Sequence, residues 1–495
     1  MNYSAFEAKM KKIADINNAT AVLMWDQETY MPKNGDALRS QQIATLSGIS
    51  HEMMVSNELS DLIEQLAPDK TLTESQQINV METKIALDKR KKFDTAFIIQ
   101  MSQTVSNTFI AWQKAKTNNQ LSDYLPHLEK LVALKREEAH ILGFKDHIYN
   151  ALVDQYEPDM TVAVLDTLFE EVRKELKPLL DKINASEQVN DSCLKQYFDK
   201  DQQWKLGIDL LTRMGYNFDT GRQDISTHPF TTSFSANDVR VTTRVDEHDL
   251  ANMVWSCIHE GGHALYEQGL PISEYGMPLG EAISLGIHES QSRLWENNIG
   301  RSLSYWKYLY PLVQQYFPEQ LSQTTLETFY KAMNKVHPSF VRTEADELTY
   351  HFHIMIRYEI EKKLMENSLQ VKDIKSAWDE MYEKYLGLKV TDDRIGVLQD
   401  VHWSHGSFGY FPTYSLGSFF AAQFFEQAQK DIPNLISQIE NGDTSALLSW
   451  LKTNIHSHGK RYKANALCQK ITGSELRLKP FIDYANKKYG AIYGF

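Results

Sequence analysis

Apolar residues recur at steps of three and four along most of this chain, and that spacing constrains its fold more than any other feature. Examples are Phe6, Met10 and Ile13, and the later run from Leu165 to Leu180. Such spacing places apolar side chains on one face of an α-helix. Glycine and proline, at 23 and 14 residues in 495, are too scarce to interrupt it often. The sequence predicts a mainly α protein, a large helical body.

One segment breaks the helical spacing. From His228 to Asp246 the β-prone residues include Thr231, Phe234 and Val241, and a turn at residues 235–238 would fold them into a hairpin. Helical spacing resumes at Leu250. We therefore predict a small β-sheet or hairpin beside the helices. With no flexible linker or repeat, we expect one domain over 1–495, in which 1–220 form a helical cover and 221–495 carry the catalytic motifs.

Composition and charge exclude several classes of partner. The net charge is −13 and no long basic stripe occurs, which argues against nucleic-acid binding. No apolar run approaches the about 18 residues that would span a membrane, and the N-terminus lacks the apolar core of a secretory signal. Three widely spaced cysteines, without a CxxC pair, support neither a disulfide framework nor a sulfur-ligated metal. We expect a cytoplasmic protein with no nucleic-acid or membrane partner.

A candidate metal site follows the predicted hairpin directly. His259 and His263 are four residues apart in a helical stretch, so their imidazoles share one face and can converge on one metal ion. Glu260 lies beside them, where a carboxylate can take a proton from a metal-bound water. Gly261 and Gly262 each cost about 1 kcal/mol in a helix, which indicates that another element approaches the backbone closely.

A catalytic zinc site usually has three protein ligands, so a third is expected. The next segment, Gly280 to Glu296, is predicted to be helical and carries Glu281, Glu289 and Glu296. Glu289 lies in its middle, whereas Glu281 and Glu296 lie near its ends, where solvated or capping roles dominate. His288 is the rival ligand, and in that case Glu289 would pair with Arg293 one turn later. We predict Glu289 as the third ligand.

Five motifs follow one another along the chain, and they are His228-Pro229-Phe230; Asp238 to Thr242; His259 to His263 with His288-Glu289-Ser290-Gln291; Val341 to Asp346; and Gly396 to Trp403. With these motifs in this order, the sequence resembles the carboxypeptidase Taq family of metallocarboxypeptidases. The resemblance covers nearly the whole length and includes a segment near the N-terminus, Trp25 to Pro32. Val341 replaces an isoleucine that is common in the family, which is a conservative difference.

The resemblance implies a broad-specificity carboxypeptidase that depends on zinc, with cobalt as a possible activator. It also implies a mostly helical fold like that of neurolysin and angiotensin-converting enzyme, and a homodimer. Its metal ligands would be His259, His263 and Glu289, with Glu260 as the general base. Arg342 and Tyr414 would contact the C-terminal residue of a peptide substrate.

Arg342 also has a chemical interpretation of its own. An enzyme that removes the last residue must recognise a free carboxylate, and a guanidinium binds one through two parallel hydrogen bonds. We expect Arg342 to head a helix from Thr343 to Glu366. The structural alternative is a salt bridge with the nearby Glu344, Asp346 or Glu347. Asp346 is also a candidate acceptor of a hydrogen bond from a ligand histidine, which would fix that histidine's tautomer.

Two further segments carry candidate substrate contacts. The loop from His402 to Tyr414 contains glycines and aromatic residues, and Tyr414 or His405 is a candidate donor to the oxyanion that develops during hydrolysis. His228, Asp238 and Arg240 flank the predicted hairpin, whose edge would pair with an extended peptide. The equal alternative for Asp238 and Arg240 is a local salt bridge that shapes the hairpin.

Two other functions remain open from sequence. An oligoendopeptidase of the same fold would need no free C-terminus, and Arg342 would then be structural. A non-catalytic helical scaffold would keep the metal site but would have no need for Glu260 beside the two histidines.

Overall fold

A computed structural model describes residues 2–495, and it confirms the mainly α class. The α-helices are α1 (Asn2–Thr29), α2 (Asp36–Met54), α3 (Asn57–Leu66), α4 (Glu74–Lys91), α5 (Thr95–Asn118), α6 (Leu125–Leu142), α7 (Asn150–Val153), α8 (Val162–Ala185), α9 (Lys200–Met214), α10 (Leu250–Gly269), α11 (Leu285–Arg293), α12 (Leu303–Tyr316), α13 (Pro318–Leu321), α14 (Leu326–Met333), α15 (Tyr350–Met365), α16 (Ile374–Leu386), α17 (Pro412–Asp431), α18 (Leu435–Glu440), α19 (Ser445–Asn454), α20 (Ala464–Thr472) and α21 (Lys479–Tyr493).

These helices fall into two compact units, each built from three stretches of chain. Unit 1 comprises residues 1–91, 190–333 and 420–476, and unit 2 comprises 92–189, 334–419 and 477–495. The chain thus visits each unit more than once. The prediction of one domain, with residues 1–220 as a cover, stays a prediction.

Unit 1 contains the β-sheet, whose strands are β1 (Gly221–Ile225), β2 (Thr231–Ser235) and β3 (Asp238–Thr243). Strands β2 and β3 form the predicted antiparallel hairpin, with Thr231 opposite Val241. The sequence did not predict β1, which pairs in parallel with β3 and completes the order β1-β3-β2. Helix α10 packs on this sheet and on α9 and α11.

The apolar spacing seen in the sequence is buried as expected. In unit 1, Phe6, Met10 and Ile13 of α1 pack in a cluster with side chains of α3 and α4. In unit 2, the apolar face of α8 from Leu165 to Ile183 is buried, and the Thr161 side chain caps the start of that helix. Within residues 2–495, no helix is both long and apolar enough to cross a membrane.

Candidate metal centre

His259, His263 and Glu289 come together in unit 1. The two histidines are one turn apart on α10, and their ring centroids are 4.9 Å apart. Glu289 on α11 places its Oε2 3.4 Å from His263 Nε2 and 3.7 Å from His259 Nε2. All three ligand atoms lie within 4.8 Å of one another, and all three side chains are largely buried.

The Gly261-Gly262 pair explains how Glu289 reaches the histidines. A Cβ at Gly262 would lie 2.6 Å from Ser292 Cα and 2.7 Å from the Gln291 carbonyl oxygen, so α10 and α11 cross in backbone contact. A side chain larger than hydrogen would force the two helices apart at such a crossing. The predicted close approach is therefore present, and the element that makes it is the helix that bears Glu289.

Glu296 corrects a prediction. The expected helix from Gly280 to Glu296 is instead α11, which begins at Leu285, followed by a π-helix over Leu294–Gly300. Glu296 lies in that π-helix and is buried rather than solvated: its Oε2 is 2.9 Å from His259 Nδ1 and 3.0 Å from Arg293 Nη1. Its Oε1 accepts a bond of 2.9 Å from Arg301 Nη2. Glu281, in contrast, is 59% exposed and pairs with Lys460, as expected of a solvated residue.

His288, the rival ligand, faces Nδ1 of His263, whereas Glu289 faces its Nε2. Its Nδ1 lies 2.6 Å from His263 Nδ1, and its Nε2 lies 2.8 Å from Glu267 Oε1. Both of its ring nitrogens are thus engaged on the side of His263 that faces away from Glu289. The salt bridge that was the other part of this alternative does form, because Arg293 Nε donates to Glu289 Oε1 at 2.6 Å. One oxygen of Glu289 therefore binds Arg293 while the other faces the histidines.

The electrostatics of the cluster keep its carboxylates ionised. Burial alone would raise the pKa of Glu289 and Glu296, but Arg293 and the histidines outweigh it and hold both pKa values far below the usual range. For His259, burial lowers the pKa, yet the charge of Glu289 and the bond to Glu296 raise it overall. Burial lowers the pKa of His263, which favours the neutral imidazole. An ionised Glu289 and a neutral His263 are both in the form that can coordinate a cation.

Glu260 lies on α10 between the two histidines and is 8% exposed. Its Oε2 accepts a 2.6 Å hydrogen bond from Thr231 Oγ1, which also lies 3.0 Å from the Glu260 carbonyl oxygen. The sequence placed Thr231 in the hairpin but did not link it to Glu260. A single hydroxyl on β2 thus fixes the orientation of the carboxylate beside the cluster.

The donor set fits a divalent metal ion. Each histidine has an acceptor at Nδ1: the Glu296 carboxylate for His259, and His288 with its ring Nδ1 and carbonyl oxygen for His263. A proton on Nδ1 leaves the Nε2 lone pair free to coordinate, on the side of Glu289. Two imidazole nitrogens and a carboxylate oxygen are a ligand set typical of catalytic zinc.

Arg342 belongs to unit 2, and its partner is not one of the predicted acids. Its Nε and Nη2 donate to Asp400 Oδ1 at 2.9 and 2.8 Å, and its Nη1 donates to Tyr350 Oη at 3.2 Å. The other oxygen of Asp400 accepts from Arg357 Nε at 2.7 Å. One carboxylate is thus shared by two buried guanidiniums, which leaves a net positive charge. The same arginines hold the pKa of Asp400 far below its usual range, although burial opposes them.

The predicted helix after Arg342 begins later than expected. Residues Arg342–Glu344 form a 3₁₀ turn, and α15 starts at Tyr350. Asp346 accounts for the difference, because it accepts the backbone N–H groups of His337, Leu348 and Thr349 and so organises the start of the helix. It therefore does not accept a hydrogen bond from either candidate ligand histidine, whose Nδ1 atoms face Glu296 and His288 instead. Glu347 pairs with Lys488 at 2.6 Å instead of with Arg342.

Tyr414 lies in the first turn of α17 and contacts this arginine cluster. The Arg342 guanidinium lies 5.0 Å from the centre of the Tyr414 ring, and Tyr414 Oη is 3.1 Å from His402 Nε2. Burial and the arginines lower the pKa of His402 to about 3, so this histidine is neutral near pH 7. His405 is placed differently, with its ring 4.8 Å from that of Phe109.

A buried acid, Glu361 of α15, holds the loop from His402 to Tyr414 in place, and the sequence did not predict it. It accepts hydrogen bonds from Tyr149 Oη at 2.5 Å, Trp403 Nε1 at 2.8 Å and the Gly409 N–H at 2.9 Å. Gly409 has φ +95°, and a Cβ there would lie 2.6 Å from the Leu152 backbone. Burial raises the pKa of Glu361 to about 7 despite these bonds.

Of the hairpin residues, Asp238 and Arg240 form the local salt bridge that was one of the two expectations. Two bonds of 2.9 Å join them, and the Arg240 guanidinium lies 4.4 Å from the ring centre of Trp25 and 4.9 Å from that of Phe234. His228 is exposed, and its carbonyl oxygen accepts from Ser226. Trp25 thus links the N-terminal motif to the sheet.

Similar sequences and similar solved structures both indicate one family of metallopeptidases. A family model described as "Carboxypeptidase Taq (M32) metallopeptidase" matches residues 5–489. Carboxypeptidase 1 of Bacillus subtilis is 39% identical over 98% of this chain and 97% of its own. The crystal structure of an M32 carboxypeptidase from Deinococcus radiodurans R1 is 34% identical, covers 100% of both chains and superposes with a TM-score of 0.98. A solved structure named CHT is 55% identical, with a TM-score of 0.97 over 99% of both chains.

Proposed function

The chain belongs to the carboxypeptidase Taq (M32) family of metallopeptidases, and from that premise we propose that it is a carboxypeptidase that hydrolyses the last peptide bond of peptides with broad specificity. The observation that carries the proposal is the convergence of His259, His263 and Glu289 beside the buried carboxylate of Glu260. Three protein ligands leave a coordination position for water or substrate, which distinguishes a catalytic site from a structural one.

We propose zinc as the metal, held by His259 Nε2, His263 Nε2 and Glu289, with cobalt as a possible substitute. The nitrogen and oxygen donors support this choice, because zinc readily binds imidazole and carboxylate together. When bound, such an ion lowers the pKa of a coordinated water to about 7 and polarises the substrate carbonyl.

Glu260 is the proposed general base. It takes a proton from the attacking water and then gives it to the amine of the leaving residue. The bond from Thr231 keeps the Glu260 side chain in one orientation, with one carboxylate oxygen occupied and the other available for the proton. The Glu289–Arg293 bond holds the third ligand in place during these steps.

Arg342 is the proposed ligand of the substrate's terminal carboxylate. Because Asp400 is shared with Arg357, the charge of Arg342 is only partly neutralised, and a carboxylate can balance the remaining positive charge. We propose that Tyr414, which lies against the guanidinium, contacts the same terminal residue. The Arg342–Asp400 pair also pre-organises the guanidinium, so little side-chain entropy is lost on binding.

For the remainder of the peptide we propose strand pairing. Within residues 2–495, β2 is at the edge of its sheet and pairs only with β3, so its other side can bond an extended backbone. His228, Asp238 and Arg240 would then contact the substrate near this edge. Backbone pairing gives affinity with little side-chain selectivity, which agrees with broad specificity.

We also propose a cytoplasmic homodimer that takes peptides, and neither nucleic acid nor membranes, as partners. The acidic net charge of −13 supports the absence of a nucleic-acid partner. Light scattering during size-exclusion chromatography tests the dimer: a mass near 114 kDa, about twice the 57.1 kDa chain, is expected, and a mass near 57 kDa contradicts it.

The experiment that tests the function compares one peptide as free acid and as C-terminal amide. We expect the zinc-loaded protein to release single residues from the free acid, to spare the amide, and to stop when the metal is removed. Mass spectrometry identifies the products. Internal cleavage of both peptides would favour an oligoendopeptidase, and no metal-dependent cleavage of either would favour a non-catalytic scaffold.

A further inference from the structure

The two histidines of the metal cluster are supported in different ways on their second ring nitrogen. His259 Nδ1 faces the Glu296 carboxylate directly, at 2.9 Å. His263 Nδ1 faces His288, with the carbonyl oxygen at 3.1 Å and the ring Nδ1 at 2.6 Å. His288 in turn contacts Glu267, whose Oε1 is 2.8 Å from His288 Nε2. A chain of three side chains therefore begins at Glu267 and ends at His263 Nε2, beside Glu289.

The tautomers along this chain follow from the requirement that His263 Nε2 be free. If Nε2 coordinates a metal, the single ring proton of neutral His263 is on Nδ1, which donates. At 2.6 Å the Nδ1 of His288 must then accept, because two facing N–H groups would repel. The proton of neutral His288 is therefore on Nε2, where Glu267 accepts it. Each donor in the chain therefore faces an acceptor.

Glu267 is held in place as an acceptor. It lies on α10, four residues after His263, and both the bond from His288 and a bond from Ser233 of β2 favour its ionised form, so that its pKa is lowered although burial opposes this. The ring of His288 is also held, since it packs 5.2 Å from the ring of Tyr266 and 4.6 Å from that of His263.

We propose that His288 and Glu267 are positioning residues that fix His263 in the Nδ1-protonated tautomer, so that its Nε2 is prepared for the metal before the metal binds. This proposal rests on the proposed metal site. It assigns to His288, the rival of Glu289 as ligand, a supporting role through another side chain, and it gives Glu267 a function in metal binding.

The first test measures zinc affinity by competition with a chelator. Glu267→Ala and His288→Phe should each weaken zinc binding about tenfold, the lower end of the usual range for such supporting residues, because the His288 carbonyl still accepts from His263. Glu267→Gln keeps an acceptor oxygen and should lose less affinity than Glu267→Ala. The matched control is Glu281→Ala, which removes an exposed ion pair and should change nothing. Unchanged affinity in both Glu267→Ala and His288→Phe would overturn the proposal.

The second test reads the tautomer in the metal-free protein, which a merely structural role would not affect. Histidine ¹⁵N spectra at pH 8, assigned with His263→Asn and His288→Phe, should show the Nδ1 of His263 protonated and Nε2 unprotonated. Glu267→Ala should shift His263 toward a mixture of tautomers. A wild-type His263 protonated on Nε2 would overturn the proposal. It would leave the carboxypeptidase assignment intact, because that assignment fails only if the metal-loaded wild type releases no C-terminal residue.

Discussion

We predict a graded loss of zinc affinity when three glutamates of the segment from Glu281 to Glu296 are changed to glutamine one at a time. Glu289 places a carboxylate oxygen 3.4 Å from His263 Nε2, Glu296 contacts His259 only through Nδ1, and Glu281 is exposed and bound to Lys460. We expect the largest loss for Glu289, an intermediate loss for Glu296 and none for Glu281. Glutamine is chosen because it fills the same volume and so tests the ligand charge rather than packing.

The magnitudes follow from the position of each group. Four-ligand zinc sites bind with roughly 10–16 kcal/mol, so one ligand contributes roughly 3 kcal/mol, or about 150-fold in Kd. A supporting hydrogen bond to a ligand contributes about 10–100-fold. Glu289→Gln should therefore weaken zinc binding by about two orders of magnitude, and Glu296→Gln by one to two.

The assay titrates metal-free protein with zinc in the presence of a chromophoric chelator. Thermal unfolding of the metal-free variants is the control for stability. It is needed because Glu296→Gln removes a buried negative charge that balances Arg293 and Arg301. Equal zinc affinity for Glu289→Gln and Glu281→Gln would show that Glu289 is not a ligand. A larger loss for Glu296 than for Glu289, at equal stability, would show that the roles of the two are reversed.

Three further predictions concern other parts of the chain. Arg342→Ala should lower kcat/KM on a free-acid peptide by a factor that corresponds to about 2–5 kcal/mol, and it should hardly change kcat/KM on the amide. The substitution and the amidation of the substrate delete the same interaction, so additive losses would show that Arg342 is structural. Gly262→Ala should push α11 away from α10, reduce zinc affinity and destabilise the protein by about 1–3 kcal/mol. Gly48→Ala is the control and should have none of these effects, because a Cβ at Gly48 would meet open space. Equal zinc affinity and equal stability of the two variants would refute the close crossing of α10 and α11. The pKa of Glu361 is raised from 4.5 to about 7, so the native state binds more protons than the unfolded state in this range. The free energy of unfolding in urea should therefore fall by about 3 kcal/mol between pH 4.5 and 7, relative to Glu361→Gln. Parallel pH profiles for the two proteins would contradict this.

The local part of the metal centre was predictable from sequence. The spacing of His259 and His263 defines one helix face, and the Gly261-Gly262 pair indicates a close crossing, which the structure confirms with α11 at 2.6 Å from the position of a Gly262 Cβ. The fold class and the hairpin also followed from periodicity and β-propensity, because both are properties of short segments.

What the sequence did not reveal depends on long-range pairing. Asp400 is 58 residues from Arg342, so no local spacing distinguishes it from the nearer Glu344 or Asp346. Strand β1 contains Arg222, Gln223 and Asp224, which have little β-propensity, and its parallel partner follows 18 residues later. Such elements are stabilised by tertiary contacts rather than by their own composition.

Glu296 is an intermediate case. It follows Glu289 by seven residues, two helical turns, so the same helix face was a signal that both carboxylates point toward one site. The prediction that Glu296 is solvated was wrong because the π-helix from Leu294 to Gly300 continues the helical path and buries it against Arg301. A π-helix inside a helical segment is frequently found at functional sites.

Glu260→Gln, measured for both metal content and turnover, tests whether the hydrolysis depends on a metal with Glu260 as the base. The substitution removes the proton acceptor but no ligand, and glutamine can still accept the bond from Thr231. We predict one zinc per chain, wild-type zinc affinity and a kcat at least about 100-fold lower, since general base catalysis contributes about 10²–10⁴-fold. A zinc-loaded Glu260→Gln variant that releases C-terminal residues at a near wild-type rate would contradict it.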